Sequence, residues 1–290
     1  MSRIVLATCT RLPDGDDDAQ ALGAALRSCG VQPQWAAWDD PTVDWSGDLV
    51  VLRSTWDYPN RRAEFLTWTA SVPHLANPAE VVAWNSDKRY LADLAATGLD
   101  VVPTAVADPA NLEVPDADEF VVKPSVGAGS GGVGRFRRDA RGLRAARAHL
   151  EALHAAGYTA LVQPYLADVD TRGETALVYV DGTFSHAARK GPMLAADARH
   201  PLGGQLDDEL FVPEAITARK PSDAELAVGD AAVAAVRDRF GSTPLYARVD
   251  LLPSAGGPVV VELELIEPSL FLDCAESAAT TFAAAIAARI

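Results

Sequence analysis

The chain has 290 residues, of which 49% are hydrophobic and 22% are charged, a balance typical of a globular protein with a substantial core. Its 25 Lys and Arg against 40 Asp and Glu leave a net charge of −15, which argues against nucleic acid or an anionic membrane as a partner. The sequence shows no apolar run of membrane-spanning length and no signal peptide, and three scattered cysteines do not make a disulfide framework. We therefore expect a cytoplasmic α/β protein of about two or three domain-sized units.

The N-terminal part alternates strand and helix signals. Apolar strands are predicted at Ile4–Ala7 and Asp48–Leu52, and helices at Asp16–Ser28 and Arg62–Ala70. Such alternation is typical of a parallel sheet with helices on its faces. We predict a parallel α/β domain over residues 1–85.

The pattern changes in the middle of the chain. Helices are predicted at Asn85–Thr97 and Ala140–Ala156, and strands at Glu119–Val122 and Ala160–Gln163. We predict a second unit over residues 86–163.

The remaining residues, 164–290, are dominated by hairpin signals. An Asp-Gly pair between two apolar runs is a strong hairpin indicator, and a short Gly-rich turn joins a second pair of runs. We predict a third, α+β unit here. Its elements are the strands Thr175–Val180, Phe184–Arg189, Leu245–Leu252 and Pro258–Leu265 and the helices Ser222–Phe240 and Ala275–Ala288.

A glycine-rich segment follows Lys123. Gly127, Gly129 and Gly132 match the G-x-G-x-x-G pattern, but strand-like residues follow where a dinucleotide-binding loop would open a helix. This argues against a nicotinamide oxidoreductase. We predict a flap between two strands whose backbone N–H groups close over phosphates, with an ordinary hairpin loop as the alternative. Lys123 ends a buried apolar strand, where an ammonium group is costly without an anionic partner.

Three carboxylates are predicted to converge on the C-terminal hairpin. Glu262 and Glu264 are two residues apart and share a strand face, and hairpin pairing brings Asp250 beside them. Buried carboxylates repel unless a cation lies between them, and oxygen ligands suit Mg²⁺ or Mn²⁺, whose coordination substrate phosphates usually complete. Arg248 shares the face of Asp250 and is a candidate phosphate ligand. A solvated acidic face is the alternative.

In this order and spacing, these features resemble the ATP-grasp superfamily of carboxylate–amine ligases over essentially the whole chain. The resemblance implies an ATP-grasp fold, with a parallel-sheet N-terminal domain and two α+β lobes that hold ATP between them. The superfamily commonly has Asn at the position of Glu264, so the chain departs from the pattern there. The motifs that carry the resemblance are the strand ending at Lys123, the glycine flap, Gln163-Pro-Tyr-Leu166, Arg248-Val-Asp250 and Glu262-Leu-Glu264.

The resemblance also implies a role for each matching residue. Asp250, Glu262 and Glu264 are the implied ligands of Mg²⁺ or Mn²⁺. Catalytic contacts to the γ-phosphate or the substrate carboxylate are implied for Arg189, Lys190 and Arg248. The implied ATP contacts are Lys88, Lys123, Gly127, Gly129, Ser130, Gly131, Gly132, Gln163, Pro164, Tyr165, Leu166 and Glu174.

Four further motifs narrow the resemblance to the cyclo-ligases of D-cycloserine biosynthesis. They are Arg53-Ser-Thr-Trp-Asp-Tyr58, Trp84-Asn-Ser-Asp-Lys88, Phe184-Ser-His-Ala-Ala-Arg-Lys190 and Glu264-Leu-Ile-Glu-Pro-Ser-Leu-Phe-Leu-Asp273. By this resemblance, ATP activates the carboxylate of the amino-acid-like substrate O-ureido-D-serine as an acyl phosphate. A nitrogen of the same molecule then captures it, and ADP, phosphate, CO₂ and ammonia are released. The implied substrate contacts are Arg53, Trp56, Asp57, Tyr58, His186 and Glu267.

Two other functions are compatible with the same residues. A ligase that condenses two separate molecules, such as an amino acid and a peptide, would need a second amine substrate. A non-catalytic nucleotide-binding protein is disfavoured, because a nucleotide sensor has little need for three metal carboxylates. The sequence leaves the oligomeric state open.

Overall fold

The computed structural model describes residues 2–201 and 215–290. These residues form twelve strands and eight α-helices, and the strands make one parallel and two antiparallel sheets. The predicted combination of a parallel α/β part with α+β parts is confirmed. Each of the three predicted units contains one sheet, although one strand of the middle sheet extends to Pro164, one residue beyond the predicted unit. The domain boundaries at 85/86 and 163/164 stay predictions.

The first sheet is parallel, and its strands run in the order β2-β1-β3. The sequence analysis missed β2, because Pro33 and two glutamines interrupt its apolar pattern. Proline is tolerated here since β2 is an edge strand. The elements of this part are β1 (Ser2–Thr8), α1 (Ala19–Ser28), β2 (Val31–Ala37), β3 (Leu49–Ser54), α2 (Arg62–Ser71) and α3 (Ala79–Asn85).

The single helix predicted over Asn85–Thr97 is wrong. A turn at residues 86–89 separates α3 from the next helix, and the backbone N–H of Lys88 donates to the carbonyl of Ser125 at 2.7 Å. This bond ties the turn to the segment after the strand that carries Lys123. It therefore places the two predicted phosphate lysines near each other.

The second sheet is antiparallel, in the order β4-β7-β5-β6, and packs against α5. The glycine-rich segment connects β5 to β6, so the predicted flap between two strands is confirmed as a structural feature. The elements of this part are α4 (Tyr90–Ala96), β4 (Ala105–Val106), β5 (Glu119–Pro124), β6 (Gly134–Arg137), α5 (Ala140–Ala155) and β7 (Ala160–Pro164).

The third sheet is antiparallel, in the order β10-β9-β8-β11-β12. Asp181 and Gly182 both have positive φ, as the predicted two-residue hairpin turn requires. Helix α7 starts with a capping box between Ser222 and Glu225. The elements are α6 (Val169–Arg172), β8 (Glu174–Val180), β9 (Thr183–Lys190), β10 (Ile216–Ala218), α7 (Asp223–Phe240), β11 (Tyr246–Ser254), β12 (Gly257–Glu264) and α8 (Ala278–Ala287).

The first and third sheets share a hydrophobic core. Phe282 and Ile286 of α8 lie in one cluster with Ile4 and Leu22 of the N-terminal part. The buried side chain of Asn77 adds polar links to the third sheet, since its amide donates to the carbonyls of Tyr246 and Leu265. None of the helices in the described ranges is both long and apolar enough to cross a membrane.

Candidate active site

A cavity of about 640 Å³ is lined by residues from all three sheets or from the loops that follow their strands. It contains eighteen of the residues singled out from the sequence, which lie far apart along the chain. They are Trp56, Tyr58, Lys88, Lys123, Gly127, Gly129, Ser130, Gly131, Gln163, Pro164, Tyr165, Leu166, Glu174, Lys190, Arg248, Glu262, Glu264 and Glu267.

Four cationic side chains lie at one end of this cavity. Lys88 Nζ is 2.9 Å from Glu262 Oε1 and also donates to the carbonyl of Gly127 in the flap at 2.6 Å. Lys190 Nζ bridges Glu174 at 2.6 Å and Asp250 at 3.1 Å. Lys123 and Arg248, both buried, complete the group. We call these four residues, Lys88, Lys123, Lys190 and Arg248, the cationic end.

The predicted carboxylates do meet. Asp250 and Glu262 are direct partners in the pairing of β11 with β12, and Glu264 is the partner of Arg248. The Arg248 guanidinium donates to both oxygens of Asp250 at 2.8 Å and also to Glu264. The sequence analysis expected a bound cation to offset the repulsion between these carboxylates. The structure shows that basic side chains already offset part of this repulsion.

The environment separates the pKa values of these carboxyls. Burial alone raises the pKa of Asp250, but Arg248 and Lys190 outweigh it and hold that pKa below its ordinary value. Lys88 and Lys123 likewise hold the pKa of Glu262 low against burial. Burial, together with the charges of Glu262 and Asp250, raises the pKa of Glu264 to about 7.

Lys123 differs from the other three cations. Its side chain is buried, with the residue only 7% exposed, and its ammonium makes no hydrogen bond or ion pair with any residue in the described ranges. Burial, reinforced by the positive charges of Lys88 and Lys190, lowers the pKa of Lys123 to about 8 despite the opposing effect of Glu262. A buried ammonium in this state is a binding group for an anion.

The carboxylates fit a magnesium ion in donor type. Glu262 and Glu264 present oxygens to the cavity, and the raised pKa of Glu264 reports negative charge that a cation would stabilise. Both oxygens of Asp250 are hydrogen-bonded, so this residue would join a metal only if its ion pairs rearranged. Among the described residues, no group of three or more His, Cys, Asp or Glu side chains is arranged to hold a metal. Phosphate oxygens would have to complete the site.

The segment that is predicted to bind adenine runs from Gln163, in β7, to Leu166 and lines the cavity. Gln163 is fixed by a hydrogen bond from its amide to the hydroxyl of Thr104 at 2.8 Å, and the backbone N–H of Tyr165 donates to the carbonyl of Glu119. Leu166 adds an apolar lining residue. The ring-binding role of this segment and the ribose role of Glu174 stay predictions.

The flap is held by a second chain segment. The backbone N–H of Gly132 donates to the carbonyl of Pro201, that of His200 to Val133, and that of Arg135 to Ala198. His149 also hydrogen-bonds the carbonyl of Gly132. Gly132 is therefore anchored outside the cavity wall, while the glycines before it line the wall.

Sequence reasoning missed one part of the cavity wall, which is formed by Asp16, in the loop after β1, together with Ser269, Phe271 and Asp273. Arg248 of the cationic end contacts this part of the wall, since it donates to the carbonyl of Ser269 at 3.0 Å and lies over the ring of Phe271. The acidic run at residues 16–18 was interpreted only as the start of α1. Its position directly after a strand of a parallel sheet was the available signal, since ligands bind at that edge.

Asp18 holds the loop around Phe271 in this part of the cavity wall. Its carboxylate accepts hydrogen bonds from the backbone N–H groups of Leu270 at 2.9 Å and Leu272 at 2.8 Å. Phe271 between them has a φ of 51°, a left-handed conformation that is strained for a bulky residue. The two hydrogen bonds hold this strained turn against the cavity.

The comparisons with known proteins agree with the geometry. Residues 4–77 match the family model described as the N-terminal domain of D-cycloserine synthetase DcsG. The cycloserine biosynthesis protein DcsG of Streptomyces lavendulae is 40% identical over 294 residues, which cover 95% of this chain and 94% of that protein. The chain belongs to the D-cycloserine synthetase family of ATP-grasp ligases.

Solved structures support the same assignment. The crystal structure of D-cycloserine synthetase DcsG superimposes with a TM-score of 0.86 at 38% identity, covering 99% of both chains. The ATP-grasp ligase PsnB in complex with its minimal precursor gives a TM-score of 0.63 at 21% identity over 100% of both chains, a likeness of fold alone. Another complex of PsnB contains Mg and ADP.

Several residues that were predicted to contact ATP, the metal or the substrate do not line the cavity. Arg189 is adjacent to Lys190 in β9, and side chains alternate along a strand, so only Lys190 points inward. The Arg189 guanidinium instead donates to the carbonyls of Arg172 and Thr171. Asp250 lies behind Arg248 and Lys190 and does not line the cavity.

Three of the predicted substrate contacts likewise do not line the cavity, of which Arg53 and His186 are buried and Asp57 is half-buried. Arg53 donates to the carbonyl of Pro268, and His186 is hydrogen-bonded to the carbonyl of Leu270. Asp57 accepts from the indole of Trp38 at 2.9 Å. The prediction that these three residues contact the substrate directly is therefore corrected. Their side chains instead support the loops that form the cavity wall.

Proposed function

We propose that this protein cyclises O-ureido-D-serine to D-cycloserine in an ATP-dependent reaction. The observation that carries the proposal is the buried Lys123 ammonium, which has no partner in the described part of the chain and lies among three other cations in one cavity. Such a group calls for a polyanion such as the phosphates of ATP. The family membership supports the choice of substrate.

The cationic end suits the first step. A carboxylate carbon is a poor electrophile, and transfer of the γ-phosphoryl group converts the carboxylate into an acyl phosphate with a good leaving group. Catalysis of this transfer consists mainly of positioning and of stabilising charge on the phosphoryl oxygens. Lys88, Lys123, Lys190 and Arg248 provide that stabilisation.

Glu262 and Glu264 are the carboxylates best placed to hold magnesium, with Asp250 as a third ligand after rearrangement. When bound, the ion would supply positive charge that offsets the negative charge of the phosphates. The lysines then have to neutralise only the remaining charge. The adenine-binding role of the segment from Gln163 to Leu166 belongs to the same proposal.

The second step is ring closure. The substrate nitrogen that is bonded to oxygen attacks its own acyl phosphate, expels phosphate and loses a proton, which forms the five-membered isoxazolidinone ring. Hydrolysis of the carbamoyl group left on this nitrogen releases CO₂ and ammonia. Attack within one molecule has an effective molarity of about 10⁵ M or more when the groups are well oriented. The protein's task is to fold the substrate and, through the flap, to exclude water.

The test is ADP release from Mg²⁺-ATP in the presence of O-ureido-D-serine alone, with mass spectrometry of the product. The proposal expects ADP and D-cycloserine in equal amounts without any second amine. ADP release that requires a separate amine would instead identify a ligase that condenses two molecules. No ADP release with any carboxylate would contradict the proposal altogether.

A further inference from the structure

Asp16 carries an unexplained buried oxygen. Its side chain is only 3% exposed, and it lines the cavity. Oδ1 is buried and has no hydrogen-bond partner among the described residues, while Oδ2 contacts Arg53 at 3.4 Å. Buried carboxylate oxygens are almost always hydrogen-bonded, so an unpaired one indicates a missing donor.

The local charge balance points to a cationic donor. Arg53 is fully buried and faces two carboxylates, at 3.4 Å from Asp16 and 3.5 Å from Asp18. Both oxygens of Asp18 are already occupied by the backbone N–H groups of Leu270 and Leu272. One guanidinium thus faces two carboxylates, both of which line the cavity, and only Asp16 has an oxygen without a donor among the described residues.

Glu267 also lines the cavity and is a weaker candidate to accept a hydrogen bond from such a cationic donor. The charged groups that act on it are Glu264, Lys88, Glu262 and Arg248, which place it with the cationic end. Burial raises the pKa of Glu267 well above its ordinary range. Burial also raises the pKa of Asp16, and the positive charge of Arg53 beside it partly offsets this rise.

The cavity therefore offers groups of both signs to a ligand. Lys123 lines it without an ion-pair partner among the described residues, and Asp16 lines it with an oxygen that lacks a donor in the same part of the chain. An α-amino acid has the matching polarity, because it carries an anionic carboxylate and a cationic ammonium on one carbon. The ammonium also supplies the N–H donors that the free oxygen lacks.

We propose that Asp16 binds the α-ammonium group of the amino-acid substrate and thereby turns the adjacent carboxylate toward the cationic end. The inference rests on the proposed function for the identity of that substrate. Arg53 is then a positioning residue, since it holds both Asp16 and, through Asp18, the turn at Phe271.

The experiment compares O-ureido-D-serine with 3-(ureidooxy)propanoate, which lacks only the amine, by measuring kcat/KM from ADP release. The wild-type protein is expected to prefer the amine-bearing molecule by about 100-fold, the size of a buried charge pair that loses one partner. Asp16→Asn is expected to lose about 100-fold on O-ureido-D-serine and to prefer neither molecule. Asp14→Asn, which removes an exposed charge from the same loop, is the matched control and should behave as wild type.

Two results would overturn the inference. One is a wild-type protein that accepts both molecules equally, a result that does not depend on any variant folding. The other is Asp16→Asn with wild-type discrimination. Binding of Mg²⁺-ATP should be unchanged in Asp16→Asn, because the nucleotide contacts are elsewhere, and this confirms that the variant is folded.

Failure of the proposed function has a different signature. If the wild type binds ATP but releases no ADP with O-ureido-D-serine, the same comparison is made by calorimetric titration of D-serine and 3-hydroxypropanoate. Preferential binding of D-serine that disappears in Asp16→Asn would support an amine site for another amino acid. Equal binding of the two probes would overturn it.

Discussion

Asp250 and Glu262 are direct partners across the antiparallel pairing of β11 with β12, so two carboxylates meet at one point of the hairpin. Each is held by a lysine from a different part of the chain: Lys88, before α4, contacts Glu262 at 2.9 Å, and Lys190, in β9, contacts Asp250 at 3.1 Å. The pair thus fixes the position of two cations before any ligand binds. Such preorganised charges stabilise a transition state without reorganisation during the reaction.

Lys123 should contribute most to ATP binding among the cations, because its ammonium has no competing carboxylate contact in the described ranges. We expect Lys123→Met to weaken ATP binding by about 100-fold, as the loss of a buried charge-assisted contact implies. Calorimetric titration with the non-hydrolysable analogue AMPPNP measures this. Lys220→Met, which removes an exposed lysine, is the control; equal affinities of the two variants would contradict the assignment.

The pH dependence of ATP binding should follow the same lysine. The pKa of Lys123 is lowered to about 8, so the free protein loses this positive charge as the pH rises through that value. Bound phosphates favour the charged form, and ATP affinity should therefore fall by up to about tenfold per pH unit above pH 8. Titrations between pH 7 and about pH 9.5 test this. In Lys123→Arg the guanidinium stays protonated, and a decline of the same steepness in that variant would exclude Lys123 as the cause.

Adjacent residues in β9 should respond in opposite ways. Lys190→Met is expected to lower kcat/KM for ATP by about 100-fold, since it removes a buried cation from the cavity and leaves Asp250 and Glu174 less compensated. Arg189→Met, whose side chain contacts only backbone carbonyls outside the cavity, should change kcat/KM by less than about threefold. Steady-state ADP release measures both. A large effect of Arg189→Met would restore the sequence-based assignment.

Metal dependence should separate the two glutamates of β12. Chelation of divalent ions should abolish ADP release and Mg²⁺ should restore it. Glu262→Gln should remove this restoration. Glu264→Asn supplies the residue that the superfamily commonly has, keeps an oxygen donor, and should retain Mg²⁺-dependent activity. Loss of activity in Glu264→Asn with retention in Glu262→Gln would reverse the ligand assignment.

Asn77 should be important for stability. Its side chain accepts from the backbone N–H of Leu245 at 2.8 Å and donates to the carbonyls of Tyr246 and Leu265, all buried. Asn77→Ala leaves these groups unpaired and should lower the free energy of unfolding by about 2–4 kcal/mol. Denaturant unfolding measures this, with the exposed Asn111→Ala as control. A difference of less than about 0.5 kcal/mol between the two would contradict the structural role of Asn77.

The sequence was informative where local chemistry decides the structure. The hairpin at Asp181-Gly182, the flap between two strands and the buried position of Lys123 all follow from residue type, spacing and strand burial, whereas the role of Lys88 follows only from the resemblance to the ATP-grasp superfamily. Local rules do not decide long-range contacts. The break before Tyr90 depends on a hydrogen bond from Lys88 to Ser125, and the choice between Arg189 and Lys190 depends on which face of β9 meets the cavity.

Asp16 shows the same limit. An acidic run before a helix is a common start signal, so the sequence favoured that explanation. Only the folded chain shows that the carboxylate of Asp18 accepts hydrogen bonds from the turn at Phe271, while one oxygen of Asp16 has no donor among the described residues. The proposal for Asp16 rests on a contact that is missing among the described residues, and sequence patterns cannot report this.

The most direct test follows the substrate carboxylate itself. O-ureido-D-serine with both carboxylate oxygens replaced by heavy oxygen is incubated with Mg²⁺-ATP, and the products are examined by mass spectrometry. Activation as an acyl phosphate followed by attack from the substrate's own nitrogen predicts one heavy oxygen in the released phosphate and one in the carbonyl of the D-cycloserine ring. Phosphate without the label would show that the carboxylate is never phosphorylated and would contradict the account.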